Sequence, residues 1–159
     1  MPLPWNLGND IVDLADPRHT GKAGDHRFLR RVFSRPEQLA IAESEDPDRD
    51  LWIRWAAKEA AFKTISKSRG APPTFVHTRF QVSIPPLDST PEPDGSRKGH
   101  PATRFGEVQY EDVILPLRVE VREGTVHAVT WLPPSPGQVP PFFWESSRIP
   151  GEERNWRRQ

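Results

Sequence analysis

The chain reads as an α+β domain: a first strand, three helices including a long buried one, and then an antiparallel β-meander. Three observations predict this. Leu51 to Ser66 is rich in Ala and free of Gly and Pro, and at 100° per residue Leu51, Trp55, Phe62 and Ile65 share one stripe with Lys58 in its middle. Trp5 to Leu14 alternates as a strand does, well ahead of that helix. Behind it lie four further strand-like segments, Arg79 to Ile84, Phe105 to Tyr110, Leu117 to Arg122 and Thr125 to Leu132.

The first strand puts Asp10, Val12 and Leu14 on one face and Ile11 and Asp13 on the other, with Gly8 marking a bulge or a close backbone approach. After a loop, Asp25 is an N-cap for a short helix over His26 to Phe33 that carries Arg27, Arg30 and Arg31. Ser34-Arg35-Pro36-Glu37 matches a capping box and opens a second helix to about Ser44. Asp46-Pro47 supplies an N-cap and an N1 proline for the long helix, Asp48 and Asp50 suit its positive first turn, and Gly70 stops it. A two-residue turn at Glu123-Gly124 pairs Arg122 with Thr125 and Glu120 with His127. In that register Leu117, Val119, Val121, Val126, Ala128 and Leu132 form the core face, and Arg118, Glu120, Arg122, His127 and Trp131 the other.

The domain is expected over residues 1–132, with a Pro-, Gly- and Ser-rich mobile loop over 85–103, and a Pro-rich arm with aromatic and basic residues over 133–159. Equal numbers of acidic and basic residues, 22 each, give no global case for nucleic-acid binding. The absence of cysteine excludes disulfides, thiolate metal sites and cysteine nucleophiles. No apolar run approaches the roughly 20 residues of a membrane span, and Met1 to Trp5 has no signal-peptide character, so a cytoplasmic protein is expected.

Charged groups set among tryptophans on a core helix are costly unless paired, hydrogen-bonded or bound to an ion. An acid between Asn9 and Ile11 on a central strand invites the same question: it is either satisfied by backbone amides or serves as a ligand or catalytic carboxylate. Gly8-Asn9-Asp10-Ile11, an arginine-bearing helix pair with Arg27-Phe28 and Glu37, and Trp55-Ala56-Ala57-Lys58-Glu59-Ala60-Ala61-Phe62-Lys63 follow in that order. Together they resemble the 4′-phosphopantetheinyl transferase superfamily, in its small single-lobed holo-acyl-carrier-protein synthase form. Its signatures are a G-x-D near the N-terminus and a W/F-x-x-K-E-x-x-x-K helix.

The resemblance implies that fold and an enzyme that moves the phosphopantetheine arm of coenzyme A to a serine of an apo acyl or peptidyl carrier protein. Asp10 and Glu59 would hold Mg²⁺, a cation that usually takes one or two carboxylates and completes its octahedron with phosphate oxygens and water. Glu59, or a water it holds, would remove the serine proton, and Lys63 would meet phosphate oxygens. Lys58 would either contact phosphate, the favoured expectation, or pair with a buried acid. Arg27 and Arg31 match positions that meet the coenzyme's 3′-phosphate or the acidic carrier. Two departures stand out: Val12 replaces the second acid of a D-x-E, and the Ser/Thr-His pair before the last strand is missing. His127 is the nearest histidine, either a replacement site group for the coenzyme or an ordinary cross-strand neighbour of Glu120. One lobe forms only one wall of the family's cleft, so a homotrimer is expected, with no nucleic-acid or membrane partner. A degenerate homologue that binds carrier protein or coenzyme A without turnover, and an unrelated metal-dependent phosphohydrolase, are the alternatives.

Overall fold

A computed structural model describes residues 5–85 and 102–133. The bulk of the expected 85–103 loop and the 133–159 arm, apart from Pro133, lie outside the described residues. Strand β1 (Asn6–Asp13) leads into two single-turn 3₁₀ segments and then helices α1 (His26–Val32), α2 (Arg35–Glu43) and α3 (Pro47–Arg69). Strands β2 (Phe80–Ser83), β3 (Ala102–Tyr110), β4 (Val113–Arg122) and β5 (Thr125–Leu132) follow. All five strands join one antiparallel sheet in the order β1-β5-β4-β3-β2, so the α+β class stands, but β1, expected as a central strand, lies at an edge of the sheet. None of the described helices is long and apolar enough to cross a membrane.

The helix boundaries follow their capping chemistry. Asp25 accepts from the Phe28 N–H at 3.0 Å and Asp46 from the Arg49 N–H at 3.1 Å. Gly70 ends α3 in the left-handed region at φ 70°, where a side chain would be strained. Glu37 returns to the Ser34 N–H at 2.8 Å, as the capping box requires. The last hairpin turns through Glu123 at φ 48° and Gly124 at φ 77°, and its Glu120–His127 and Arg122–Thr125 pairs are those read from the sequence. Strand β4 starts four residues earlier than expected, at Val113, because a tight turn with Glu111 at φ 54° folds it directly onto β3.

Helix α3 lies along one face of the sheet and forms the core with it. Its apolar stripe is broader than the sequence reading: Leu51 and Ile65 are buried, but so are Ile53, Ala56, Ala57, Ala60 and Ala61, whereas Trp55 and Phe62 are only partly covered. The alanines let backbone meet backbone. At Gly8 an added Cβ would lie 2.1 Å from the Ala60 carbonyl oxygen and 2.6 Å from Thr64 Oγ1. That contact is the close approach expected at Gly8, and the unbroken β1–β5 register from Asn6 to Asp13 excludes a bulge. Beside it Thr64 Oγ1 meets Thr130 Oγ1 at 2.7 Å, tying helix to sheet at the residue opposite Gly8.

Candidate active site

The docking of β1 on α3 brings Asp10 and Glu59 together. Alternation turns Asp10 and Val12 to the helix side of the sheet, and Gly8 sets the spacing two residues before Asp10. Lys63, one turn beyond Glu59, donates to Asp10 Oδ1 at 2.9 Å and to the Asn9 carbonyl at 2.8 Å. Lys67, a further turn along, donates to the Leu7 carbonyl at 2.6 Å. Two lysines thus bind the edge of β1 to the helix and leave Asp10 partly exposed beside Glu59.

Glu59 is held in an unfavourable place for a carboxylate. Burial pushes its pKa above the usual range, the Asp10 charge pushes it further, and Lys63 opposes both. Two acids whose charges raise one another's cost gain most from a cation between them. Among the described residues no group of three or more His, Cys, Asp and Glu side chains is arranged to hold a metal ion, so a closed all-protein cage is absent there. A pair of carboxylates open to solvent fits Mg²⁺ held jointly by protein, phosphate and water.

Lys58 is not a phosphate ligand. Its ammonium is fully buried and donates to Glu37 Oε2 at 2.9 Å, to the His77 carbonyl at 3.0 Å and to the Phe80 carbonyl. An ammonium has three donors, and all three are used inside the protein. Of the two roles open to it from the sequence, pairing with a buried acid is the one observed. The reason lies in β2, a sheet edge whose outward backbone groups need partners. Lys58 takes Phe80 O, Arg54 takes Val82 O at 3.1 Å, and Glu37 takes the Val82 N–H at 2.9 Å. Asp50 in turn holds Arg54 Nε at 2.8 Å. The buried charges of α2 and α3 therefore close an open strand edge.

His127 is also separated from the carboxylate pair. It lies opposite Ile11 and Glu120, on the sheet face away from α3, with Nε2 3.4 Å from Asn9 Nδ2. Asp10 stands opposite Ala128 on the helix face, so the sheet itself lies between the two groups. The cross-strand reading of His127 holds, and within this chain it does not join the site. Arg31 lies by the Phe28 ring, its guanidinium 5.9 Å from the centroid, and its charge adds to burial and the Lys58 charge in holding the His77 pKa down. Arg27 is exposed on α1, and no contact among the described residues connects it to the pair.

One site-lining residue, His77, escaped the sequence reading, and Glu37, legible as a capping residue, has a partnership with Lys58 that depends on how α2 crosses α3. His77 follows α3 in a segment without periodicity. Its ring stacks between Trp55, at 4.8 Å, and Phe75, at 4.1 Å, and its Nε2 faces Glu59 Oε1 at 3.9 Å. A lone histidine soon after a site helix was the one available signal.

The site is thus a strand-borne acid beside a helix-borne acid, on a sheet covered by one long helix. Comparisons with known proteins are specific. The sequence model of the 4′-phosphopantetheinyl transferase superfamily matches residues 6–109, and the chain belongs to that family. A holo-[acyl-carrier-protein] synthase of Shewanella frigidimarina is 31% identical over 99 residues, covering 62% of this chain and 68% of its own. One from Azoarcus sp. is 36% identical over 69 residues, covering 43% of this chain and 55% of its own. Such relatives are thus matched over about half to two thirds of their length. Among solved structures, a holo-[acyl-carrier-protein] synthase from Neisseria meningitidis superposes with TM-score 0.56 at 20% identity, covering 79% of this chain and 95% of its own. A synthase–coenzyme A complex from Chronobacterium ammoniagenes gives TM-score 0.53 at 22% identity, covering 82% and 98%. Both bear out the phosphopantetheinyl transferase-like fold.

Proposed function

We propose that this member of the phosphopantetheinyl transferase family moves the 4′-phosphopantetheine arm of coenzyme A to a serine of an apo carrier protein, with Asp10 and Glu59 as its Mg²⁺ ligands. The observation that carries the reading is the meeting of Asp10 and Glu59, from β1 and α3, with Lys63 alongside. The relatives' names and the coenzyme A complex of the Chronobacterium ammoniagenes protein support donor and acceptor.

In the transfer, the serine oxygen bonds to the phosphorus nearer the pantetheine, and the bond from that phosphorus to the bridging oxygen breaks. The departing group is 3′,5′-ADP. Mg²⁺ bound at the carboxylates would offset the pyrophosphate charge and polarise the phosphorus. Glu59, whose carboxylate burial and the neighbouring Asp10 charge make more basic than usual, suits the task of taking the serine proton directly or through a water. Lys63 can turn from Asp10 towards phosphate once a cation satisfies that carboxylate. Arg27 and Arg31 on α1 supply positive charge for the coenzyme's 3′-phosphate or an acidic carrier.

The reading includes a cytoplasmic location, where coenzyme A and unmodified carriers meet, and a homotrimer that would cover Ile11 and Ile114, both exposed on the sheet face away from α3. Incubation with coenzyme A, Mg²⁺ and a panel of apo carriers, followed by intact mass spectrometry, tests the activity. The expected result is one phosphopantetheine mass added per carrier, lost in Asp10→Ala and Glu59→Ala variants that keep their circular dichroism. Coenzyme A binding without any mass gain would instead support a non-catalytic homologue. Light scattering after size exclusion tests the trimer.

A further inference from the structure

The adjacent pair Lys58-Glu59 meets one residue from two sides. Lys58 Nζ holds the His77 backbone through its carbonyl at 3.0 Å, while Glu59 Oε1 faces the His77 ring at 3.9 Å from Nε2. The ring cannot easily turn away, because Trp55 stacks on it at 28° interplanar angle and Phe75 packs on it at 36°. Nε2 is buried and has no hydrogen-bond partner among the described residues. A buried polar nitrogen without a partner costs free energy, and the carboxylate facing it is the acceptor that can remove that cost. The gap to close is 3.9 Å, and the terminal torsion of Glu59, being broad and soft, opposes a small adjustment only weakly. With a carboxylate oxygen facing Nε2, the proton of a neutral imidazole sits on that nitrogen.

We propose that His77 is a positioning residue for Glu59, donating its Nε2–H to Oε1 and so holding the carboxylate with its other oxygen left for the cation. Metal-binding carboxylates are commonly fixed by such partners, and their loss typically weakens metal affinity by about 10–100-fold. The inference rests on the two-carboxylate reading above and adds a residue to it. Because the imidazole is clamped between rings, Phe at this position keeps the stack and removes only the donor. Gln restores an N–H at a reach similar to that of Nε2.

The test uses the full chain with saturating coenzyme A and titrates Mn²⁺, followed by its electron paramagnetic resonance signal, with urea midpoints measured in parallel. Wild type should bind Mn²⁺, His77→Phe should bind it about 10-fold more weakly, and His77→Gln should return to within about 3-fold of wild type. Equal affinity in wild type and His77→Phe overturns the positioning role and leaves the carboxylate reading standing. So does a His77→Gln variant as weak as His77→Phe with an unchanged urea midpoint. Wild type that binds no Mn²⁺, or binds it as tightly after Asp10→Ala, overturns the carboxylate reading and this inference with it.

Discussion

Replacing Lys58 by methionine separates a structural lysine from a substrate-binding one. The side chain is fully buried and its ammonium is shared by the Glu37 carboxylate and the carbonyls of His77 and Phe80. Methionine fills similar space, so the cost is electrostatic rather than a cavity. Glu37 would keep the Val82 and Ser34 N–H groups at 2.9 and 2.8 Å but lose its only described cation. Breaking a buried ion pair on one side costs about 3–5 kcal/mol, since the remaining charge stays out of water. For a domain of this size about 1 kcal/mol moves Tm by roughly 3–4 °C, so the melting point should fall by roughly 10–20 °C. Removing the stranded charge as well, in Glu37→Gln with Lys58→Met, should recover about half of the loss. Burial lowers the Lys58 pKa more strongly than Glu37 raises it, consistent with a pair retained at a desolvation cost. Urea denaturation of the two single variants and the double variant measures the coupling. The Michaelis constant for coenzyme A, taken below the melting point, should stay within about 2-fold. An unchanged urea midpoint with a much raised Michaelis constant would refute the edge-sealing role and restore the phosphate contact.

Other substitutions probe the remaining geometry. Gly8→Ala places a methyl group 2.1 Å from the Ala60 carbonyl, so backbone must move; a loss of at least about 1–3 kcal/mol in urea midpoints is expected, with transfer reduced because Asp10 shifts too. Glu59→Gln should stabilise the metal-free protein at pH 7. The Glu59 pKa is raised by folding, so the folded chain binds more protons than the unfolded one above the unfolded value of about 4.5, and stability falls as pH rises through that window. The gain from Gln should therefore vanish on acidification below pH 4 or so, and melting curves across pH check it. His127→Ala should change turnover by less than about 3-fold, since the sheet lies between it and the carboxylates; steady-state kinetics will report a larger loss if the opposite face contributes to the site.

Local physics made much of the chain legible. Caps at Asp25 and Asp46, the stop at Gly70 and the Glu123-Gly124 turn depend on a few neighbouring residues, and each sits where its chemistry predicts. Period-two alternation assigned Asp10 and Val12 to one face correctly. Strand β4 was read too short because Pro116 and the turn at Glu111 interrupt the pattern that pairing with β3 sustains.

By itself the sequence determined the element order, the ends of the helices, the family and the carriers of the two acids. These follow from short-range patterns or from motifs with fixed spacing. Tertiary structure decided which charges are sealed inside and which reach the surface. Lys58 and Lys63 are both basic residues on one helix, yet the first is sealed against Glu37 and the edge of β2 while the second reaches Asp10 at the surface. His127 is close to Asp10 across paired strands and still lies on the other side of the sheet. His77 reaches Glu59 because the chain after α3 folds back over Trp55. Each outcome depends on packing between residues distant in the chain, where burial makes an unpaired charge or N–H expensive and so selects one arrangement.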